Sequence, residues 1–424
     1  MSDRRVVATQ TVILAGGRGT RLGDLTDTTP KPLLPVGGKP FLEYLVWNLR
    51  RHGIRRIVFS VGYLADAIES AFGDGERLDV SISYSRETTP AGTGGALWLA
   101  REQLDEWFYV LNGDTFFDAN YLKLPRLQPS PPRGMALTLR HVEDTSRYGA
   151  VVLSGDRVER FAEKQATGPG WINGGIYLMN RTLLERLSKL PCSLENDLIP
   201  QLAAEGEVLA TRSNGFFIDI GTPEQYAASQ TLVPEALRRP VAFLDRDGVL
   251  NHDDNYVHRP DQFRWIDGAR EAVRDLKDLG YYVIIVTNQA GIGHGYYDET
   301  QFRSLMDHVQ RELMAVGGSF DDVYFCPCHP NAVRDEYRCE SFDRKPNPGM
   351  LLRALDKWPI DQSRSFMIGD RETDAEAARQ AGVRFHMFSG GNLQEFVRQV
   401  TAGSHGQSTV GSARDQQAPV VNVR

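Results

Sequence analysis

The chain has 424 residues, which at roughly 150 residues per domain predicts two or three domains and argues against one. It carries 48 Lys and Arg against 55 Asp and Glu, a formal charge of −7, which disfavours a basic nucleic-acid-coating protein; its 41% of apolar residues fits globular domains. No apolar stretch reaches the about 18 residues of a membrane span, and the charged start runs into a glycine-rich loop instead of a signal-peptide cleavage site. We therefore expect a cytoplasmic protein that binds neither nucleic acid nor membrane.

From Gln10 onward, short β-branched runs alternate with amphipathic ones, and this rhythm predicts βαβ units with a mostly parallel sheet. The first helix is predicted over FLEYLVWNLRRHG, with Pro40 at its start and Gly53 as its C-terminal stop. A first domain is predicted over residues 10–232, after a tail of residues 1–9.

The first strand leads into a glycine-rich loop, LAGGRGTRLG at Leu14 to Gly23, whose free backbone N–H groups can point at phosphate. An isolated glycine cluster is as often a structural turn, and this motif alone leaves that alternative open. The dinucleotide-binding fingerprint fails because Leu22 stands in place of its third glycine, and no GxxxxGK(S/T) motif occurs. The loop therefore predicts a phosphate site of neither standard type.

Four further features of the first domain point at a polyphosphate. Lys31 lies between two prolines, whose fixed φ would hold its ammonium near the loop. GTGGA, at Gly92 to Ala96, lets the backbone approach a ligand closely, and Asp114 ends a strand, where open α/β sheets bind ligands. Asp219 lies in an apolar run, which is a costly place for an unpaired carboxylate. Two carboxylates near a polyphosphate imply Mg²⁺, although each residue alone could serve a turn or an ion pair.

After Pro240 the βαβ rhythm restarts, and a second α/β domain is predicted over residues 241–398. One of its helices is predicted from Glu299 to Val316. The segment 233–240 carries two prolines and is predicted to link the domains, and the polar residues 399–424 are predicted to be disordered.

The first strand of the second domain ends in two aspartates, Asp245 and Asp247, whose side chains start on the same side of an extended backbone. Such a pair can divide the roles of nucleophile and acid/base catalyst. A solvated turn is the alternative, whereas the calcium-loop pattern is not met. Thr287 ends the next strand, Lys345 lies in RKPNPG, and IGDRETD after a further strand contains Asp370 and Asp374. Each of these residues alone could be a cap or a surface charge.

The first domain resembles the sugar-1-phosphate nucleotidylyltransferases through LAGGRGTRL, PKPLLPVGGKP, GTGGAL, LNGD, RYGAV, FAEK, INGGIYL and FIDIGTPEQY. NGDTFF, INGGIY and SLENDLIP are most similar to the guanylyltransferases that act on D-glycero-α-D-manno-heptose 1-phosphate. The resemblance implies in-line attack by a sugar-1-phosphate oxygen on the α-phosphorus of GTP, or another nucleoside triphosphate, with no protein nucleophile.

The resemblance also implies which residues of the first domain bind ligands. Nucleotide binding is expected from Leu14, Ala15, Gly16, Gly17, Gly19, Thr20, Arg21, Lys31, Gly92, Gly94 and Asp114. Sugar-phosphate binding is expected from Glu163, Lys164, Asn173 and Gly174. Arg21 and Lys31 are expected to take part in catalysis, and Asp114 and Asp219 to hold Mg²⁺.

The second domain resembles the haloacid-dehalogenase phosphohydrolases, whose four motifs occur in order over about residues 240–390. The resemblance implies that Asp245 attacks the phosphorus to form an aspartyl phosphate. Asp247 would protonate the leaving oxygen and then activate water. Thr287 and Lys345 would hold the phosphate oxygens.

The resemblance further implies a magnesium site in the second domain, formed by Asp245, the backbone carbonyl of Asp247, and Asp370, with Asp374 orienting these ligands. The motifs DRDGVLN, TNQAGIG, CPCHP, RKPNPGM and GDRETD look like the D-glycero-D-manno-heptose 1,7-bisphosphate phosphatases and the related histidinol phosphatases. In such an enzyme Arg344 is expected to bind the sugar phosphate.

Three of the four cysteines lie close together in the second domain, which indicates a metal site before redox chemistry. The phosphatases that it resembles carry a Cys-x-His and Cys-x-Cys zinc loop, but here Cys328 replaces the His, and Ser341 and Asp343 replace the last two Cys. The expected structural Zn²⁺ ligands are Cys326, Cys328, Cys339 and either His329 or Asp343. A metal-free loop of small buried thiols is the alternative.

The two resemblances together predict an α/β protein of two Rossmann-like domains, a nucleotidyltransferase fold followed by a haloacid-dehalogenase fold. The expected functions are consecutive, because removing the C7 phosphate of heptose 1,7-bisphosphate gives the heptose 1-phosphate that the first domain would convert to GDP-heptose. One alternative keeps both reactions but changes the substrates. The first domain would then use mannose or glucose 1-phosphate, and the second would hydrolyse another sugar phosphate or histidinol phosphate. Another is a nucleotide-sugar-sensing module without turnover, against which the candidate catalytic carboxylates argue.

Overall fold

The computed structural model describes residues 7–127, 134–146, 149–161, 168–187 and 190–405. The contacts divide the chain into two compact units, with the main boundary between Ala236 and Leu237. Each unit has its own sheet. None of the helices in the described ranges is both long enough and apolar enough to cross a bilayer.

The first unit is built on a nine-stranded sheet in the order β5-β4-β1-β6-β11-β8-β12-β10-β9. The strands in this part of the chain are β1 (Gln10–Leu14), β2 (Pro35–Val36), β3 (Lys39–Pro40), β4 (Arg56–Val61), β5 (Ser81–Arg86), β6 (Trp107–Asn112), β7 (Thr115–Phe117), β8 (Met135–Val142), β9 (Val151–Ser154), β10 (Arg157–Phe161), β11 (Gly170–Asn180), β12 (Val208–Ser213) and β13 (Phe217–Asp219). The helices are α1 (Phe41–Arg51), α2 (Ala65–Phe72), α3 (Gly92–Ala100), α4 (Ile199–Ala204) and α5 (Pro223–Leu237).

The first half of this sheet is parallel. Its strands β4, β1 and β6 are mostly buried, whereas β5 at the edge alternates between exposed and buried residues. β5, β4, β1 and β6 pair in parallel because a helix carries the chain back between strands. β11 runs antiparallel to both of its neighbours, so the second half is mixed. Leu14 at the end of β1 pairs with Asn112 at the end of β6, and this register brings the loops that follow both strands to one edge of the sheet.

A separate two-stranded ribbon crosses this edge. β13 pairs antiparallel with β7 so that Asp219 lies opposite Thr115. The backbone N–H of Ile220 donates to the carbonyl of Asp114 at 3.0 Å. The ribbon therefore brings two residues that are far apart in sequence, Asp114 and Asp219, to the same place.

The second unit is built on a five-stranded sheet in the order β16-β15-β14-β17-β18, in which every pairing is parallel. Its strands are β14 (Val241–Leu244), β15 (Tyr282–Asn288), β16 (Asp322–Cys326), β17 (Phe366–Gly369) and β18 (Arg384–Met387). Its helices are α6 (Ala269–Asp278), α7 (Ala290–Gly293), α8 (Glu299–Val316), α9 (Gly349–Lys357), α10 (Glu372–Gln380) and α11 (Leu393–His405).

The α/β class with mostly parallel sheets is confirmed, and two predicted helices match closely. α1 begins at Phe41 directly after Pro40. α8 spans the predicted Glu299–Val316, because the Asp298 carboxylate accepts a hydrogen bond from the backbone at its start and Gly317, at φ 89°, ends it.

The expected linker and the expected disordered tail both contain helix. α5 continues through Pro234 to Leu237, and the buried Val233 packs this turn in spite of the lost proline N–H. The prediction of disorder is wrong for residues 399–405, which belong to α11. Val397 and Val400 lie three positions apart on one helical face and pack into the core, a signal that the polar composition of the tail obscures. The rest of the expected tail, 406–424, lies outside the described residues.

Candidate active sites

A cavity of about 670 Å³ opens at the carboxyl ends of β1 and β6 in the first unit. It contains most of the expected nucleotide-binding residues, which are Leu14, Ala15, Gly16, Gly17, Gly19, Lys31, Gly92 and Asp114. A cavity of this volume can hold a nucleotide. The predicted phosphate loop therefore lies in a cleft of suitable size.

Lys31 joins the two carboxylates that were expected to hold Mg²⁺. Its Nζ lies 2.7 Å from Oδ2 of Asp114 and 3.9 Å from Oδ1 of Asp219. Lys31 is only 8% exposed, so the two carboxylates take the place of the water that its ammonium has lost on burial. Mg²⁺ is commonly bound by one or two carboxylates together with substrate phosphates, and this donor set fits that pattern.

Two glycines of this cavity are required by close contacts. A side chain at Gly16 would place its Cβ 2.6 Å from Oε1 of Glu87. Gly92 has φ 76° and lies against the carbonyl of Cys192, where any side chain would collide. Neighbouring protein atoms therefore require glycine at both positions.

Other expected nucleotide-binding residues lie outside this cavity lining. Thr20 and Arg21 are exposed in a short 3₁₀ turn, Thr20–Thr26, and do not line the cavity. Gly94 is buried in α3 against the sulfur of Cys192. The structure therefore brings Lys31 into the site but not Arg21.

The expected sugar-phosphate residues are only partly described. Asn173 and Gly174 lie on β11, and the Asn173 amide donates to the hydroxyl of Tyr177 at 2.8 Å. Glu163 and Lys164 lie outside the described residues. Burial raises the pKa of the Tyr177 hydroxyl well above its usual value, so this group remains a neutral partner.

The polar residues of this cavity that sequence reasoning missed include Glu87, Thr93 and Glu195. The Thr93 hydroxyl donates to Glu195 Oε2 at 2.7 Å, and Glu87 Oε2 accepts from the backbone N–H of Ala91 at 3.0 Å. Glu195 belongs to SLENDLIP, which the sequence singles out, but its contact with Thr93 spans 102 positions. Only the fold reveals that pairing.

A smaller cavity of about 260 Å³ lies at the carboxyl ends of β14 and β15 in the second unit. It is lined by Asp245, Arg246, Asp247, Asp253, Asn255, Tyr256, Thr287, Asn288, Gln289, Ala290, His294, Tyr297, His329, Arg344, Lys345, Arg371, Thr373 and Asp374. All four expected catalytic residues of the second domain are among them.

Lys345 bridges two buried carboxylates in this cavity. Its Nζ lies 2.8 Å from Oδ1 of Asp245 and 2.6 Å from Oδ1 of Asp374, and it donates to the carbonyl of Val286 at 3.0 Å. Burial raises the pKa of Asp245, and the negative charge of Asp374 adds to this effect, while Lys345 opposes it. The ammonium and a further cation together would keep Asp245 ionised, as a nucleophile must be.

Asp245, Asp370 and Asp374 form a group whose ligand atoms all lie within 4.8 Å of one another. Within the described ranges, this is the one group of three or more acidic, His or Cys side chains that meets this criterion. Oδ1 of Asp370 is buried without a hydrogen-bond partner, and a side chain at Gly248 would overlap this carboxylate. The group therefore fits a hard divalent cation such as Mg²⁺.

The structure differs from one expected role at this metal group. Asp374, expected only to orient the ligands, supplies a ligand atom of the group itself. The side chain of Asp247 does not belong to the group, and its oxygens accept hydrogen bonds from Arg246, Asn251 and Gln289. Of Asp247, the backbone carbonyl alone stays a predicted metal ligand.

Arg344 lies at the wall of this cavity, as expected for a substrate-binding residue. Its Nη1 donates to the carbonyl of Cys328 at 3.1 Å. The rings of His294 and His329 lie 5.0 Å apart beside it. His329 Nδ1 accepts from the backbone N–H of Asn331, so this nitrogen already has a partner.

The expected zinc ligands are not brought together as free thiolates. Cys328 and Cys339 are joined as a disulfide, and Cys326 is a buried free cysteine whose burial raises the pKa of its thiol. A disulfide sulfur is not a zinc thiolate, because zinc binds the deprotonated sulfur. The structure thus gives the zinc prediction no support.

The comparisons with known proteins first define the class. Residues 10–235 match the nucleotidyl transferase family model, which covers more than half of the chain, and residues 342–415 match the HAD-hydrolase-like model. The chain belongs to the nucleotidyl transferase family and carries a HAD-like domain after it. The predicted order of the two enzyme domains is confirmed, and both families generally use Mg²⁺.

Two relatives are matched along nearly their whole length. D-glycero-alpha-D-manno-heptose 1-phosphate guanylyltransferase of Aneurinibacillus thermoaerophilus is 36% identical over 224 residues, which are 52% of this chain and 96% of that protein. D-glycero-beta-D-manno-heptose-1,7-bisphosphate 7-phosphatase of Rhodopseudomonas palustris is 45% identical over 169 residues, which are 40% of this chain and 94% of that protein. The mannose-1-phosphate guanylyltransferase catalytic subunit beta of Danio rerio is 36% identical over 248 residues, which are 55% of this chain and 69% of that protein.

Proposed function

We propose that the chain is a bifunctional enzyme of GDP-heptose biosynthesis. Its second unit removes the C7 phosphate of D-glycero-D-manno-heptose 1,7-bisphosphate, and its first unit transfers GMP from GTP to the resulting heptose 1-phosphate, releasing pyrophosphate. One observation carries this proposal: the chain covers 96% and 94% of two separate relatives whose names describe successive steps on the same sugar. Each of the two matched regions has its own cavity, which supports the proposal: the first contains Lys31 and Asp114, and the second contains Asp245, Asp247, Thr287 and Lys345.

In the first unit, the residues of the cavity bind and align two anionic substrates. The backbone of Gly16 and Gly17 faces the triphosphate, and the ammonium of Lys31 offsets its negative charge. A sugar-phosphate oxygen then attacks the α-phosphorus in line with the departing pyrophosphate. Alignment and charge neutralisation lower this barrier without a covalent intermediate on the protein.

In the second unit, Asp245 Oδ attacks the phosphorus of the C7 phosphate, and the bond between that phosphorus and the sugar oxygen breaks. Asp247 gives a proton to the leaving oxygen and afterwards takes one from the water that hydrolyses the aspartyl phosphate. Thr287 and Lys345 hold the phosphate oxygens. Arg344, at the cavity wall, meets the remaining phosphate of the sugar.

Each unit has carboxylates suited to Mg²⁺: Asp114 and Asp219 in the first, and Asp245, Asp370 and Asp374 in the second. When bound, Mg²⁺ would supply positive charge against the phosphate oxygens and reduce repulsion between anionic groups. The residues of the chain provide the alignment and the proton transfers.

The test is to give the purified full chain heptose 1,7-bisphosphate, Mg²⁺ and an equimolar mixture of nucleoside triphosphates. Mass spectrometry should find heptose 1-phosphate first and GDP-heptose second, with phosphate and pyrophosphate released. Persistence of the bisphosphate, or a nucleotide sugar with another base, would contradict the proposal.

Mannose 1-phosphate is a second candidate substrate for the first unit, because mannose-1-phosphate guanylyltransferases match it with the same identity as the heptose enzyme. Direct competition between mannose 1-phosphate and heptose 1-phosphate for limiting GTP separates the two. We expect heptose 1-phosphate to be used with the higher kcat/KM, because the adjoining phosphatase unit matches heptose enzymes.

A further inference from the structure

A chain of buried side chains runs behind the acid/base residue of the phosphatase site. The Gln289 amide nitrogen donates to Asp247 Oδ2 at 3.2 Å and to Thr287 Oγ1 at 2.8 Å. The Tyr297 hydroxyl donates to the Gln289 amide oxygen at 2.6 Å. Gln289 and Tyr297 are almost fully buried, so water cannot replace these contacts easily.

The contacts of the Gln289 amide fix which of its two ends faces Asp247. If the amide were turned by 180°, its oxygen would face Oδ2 of Asp247 and Oγ1 of Thr287, and the partly buried carboxylate of Asp247 would lose a donor. The Tyr297 hydroxyl would also lose Gln289 Oε1, the one acceptor found for it within the described ranges. Since burial raises the pKa of Tyr297 to about 12, its hydroxyl stays protonated and remains a donor.

The direction of this amide also determines what the Thr287 hydroxyl can do. Because Thr287 Oγ1 accepts from Gln289, its own hydrogen is left to donate elsewhere. Thr287 lines the cavity in which the phosphate is expected. Its hydroxyl can therefore donate to a phosphoryl oxygen.

Tyr297 is itself held rigidly. Its ring stacks on His258, with centroids 4.8 Å apart and planes 6° from parallel. On another side it lies against Gly291, where any side chain would collide with it. A rigid tyrosine can fix the orientation of a neighbouring amide, whereas a mobile one could not.

We propose that Tyr297 is a positioning residue of the phosphatase site, whose hydroxyl orients the amide of Gln289 so that Gln289 aligns Asp247 with the leaving oxygen and turns the Thr287 hydroxyl toward the phosphate. This inference rests on the proposed phosphatase activity of the second unit. The reaction therefore depends also on a buried hydroxyl that lies two side chains away from the reacting atoms.

The first test compares Tyr297→Phe with the wild-type full chain on two kinds of phosphate ester. On heptose 1,7-bisphosphate, whose leaving alkoxide needs a proton, kcat/KM should fall about tenfold. On p-nitrophenyl phosphate, whose leaving group needs no proton, the loss should be clearly smaller. Equal loss on the two esters, or no loss on either, would overturn the inference.

The matched control is Tyr296→Phe, which removes the hydroxyl of the adjacent tyrosine, 58% exposed. It should leave both esters unaffected. Guanylyl transfer by the first unit should be unchanged in both variants, which reports that the effect is confined to the second unit. A thermal unfolding curve of each variant provides a second check.

A double-mutant cycle then tests whether Tyr297 acts through Gln289. In a Gln289→Ala background, adding Tyr297→Phe should change kcat/KM by less than about twofold, because the group that it positions is gone. A full additional tenfold loss would contradict the proposal and indicate that Tyr297 contacts the substrate itself.

Failure of the inference and failure of the proposed function give different results. If the wild type hydrolyses p-nitrophenyl phosphate but not heptose 1,7-bisphosphate, the proposed substrate is wrong, and the Tyr297 comparison is made with another alkyl phosphate that it does hydrolyse. If the wild type hydrolyses no phosphate ester in the presence of Mg²⁺, both are overturned.

Discussion

Both candidate sites contain a lysine between two aspartates, but the two sites differ in their exposure to water. In the first, the side chains of Asp114 and Asp219 are 41% and 29% exposed around Lys31. In the second, those of Asp245 and Asp374 are 9% and 1% exposed around Lys345. The same charge pattern is therefore accessible to water in one unit and buried in the other.

This difference matches the two kinds of chemistry. The first unit joins two bulky anionic substrates and needs space and compensating charge more than it needs a reactive side chain. The reaction proposed for the second needs a carboxylate nucleophile, whose reactivity depends on removing its water and replacing that water with fixed partners. Burial is therefore a clue to which unit forms a covalent intermediate.

The largest expected effect concerns the nucleophile. Asp245→Asn should lower phosphate release at least about a thousandfold, because an amide cannot form the aspartyl phosphate. Guanylyl transfer by the same chain should be unchanged. Asp114→Ala is the converse variant and should remove guanylyl transfer alone; if either variant stopped both reactions in a folded chain, the two sites would not be independent.

The two lysines should differ in their contribution to stability. Lys345→Met removes the cation that two buried carboxylates share and should lower the free energy of unfolding by about 3 to 5 kcal/mol. Lys31→Met should cost about 1 kcal/mol or less, because water screens the exposed Asp114. Calorimetry of the full chain measures both. If the two variants lowered the unfolding temperature equally, burial would not explain the contribution of these lysines to stability.

The dependence of the phosphatase on Mg²⁺ should report the three clustered carboxylates. Asp370→Asn should raise the Mg²⁺ concentration for half-activation at least about tenfold. Asp356→Asn, an exposed carboxylate of α9, should not change it. An unchanged Mg²⁺ requirement in Asp370→Asn would place the metal elsewhere.

The pH dependence of Mg²⁺ activation tests the same site in a second way. The pKa of Asp245 is raised to about 7, so protons compete with the metal for this ligand from neutrality downward. The Mg²⁺ concentration for half-activation should therefore rise severalfold between pH 8 and pH 6. A value that stayed constant over this range would mean that Asp245 is already ionised.

Sequence reasoning located the elements and the strand-end residues because their signals are local. The capping residues Asp298 and Gly317 lie directly beside α8, and that helix was predicted to the residue. Lys31, Asp114 and Asp245 stand in short motifs at the ends of strands, where α/β sheets bind ligands. Local patterns of this kind do not depend on the rest of the fold.

The remaining contacts join residues far apart in the chain, and no spacing rule predicts them. Thr93 meets Glu195 only because α3 packs beside the turn that carries SLENDL. Arg21 was expected in the cavity, but Gly19 has φ 65° and the chain turns into an exposed 3₁₀ segment there. Asp374 joins the metal group because the first turn of α10 starts directly after β17.

The smallest expected effect concerns the cysteines, at which the two units also differ. The first unit has the single thiol Cys192, whereas the second has the Cys328–Cys339 disulfide beside the buried Cys326. Thiol titration of the denatured, unreduced chain should find two free thiols, those of Cys192 and Cys326. Because the cavity lining does not include Cys328, Cys328→Ser should change phosphate release by less than about twofold, as should the control Cys192→Ser. Four free thiols together with one tightly held zinc per chain would instead favour the metal loop that the sequence predicts, since zinc keeps its thiolates from pairing with each other.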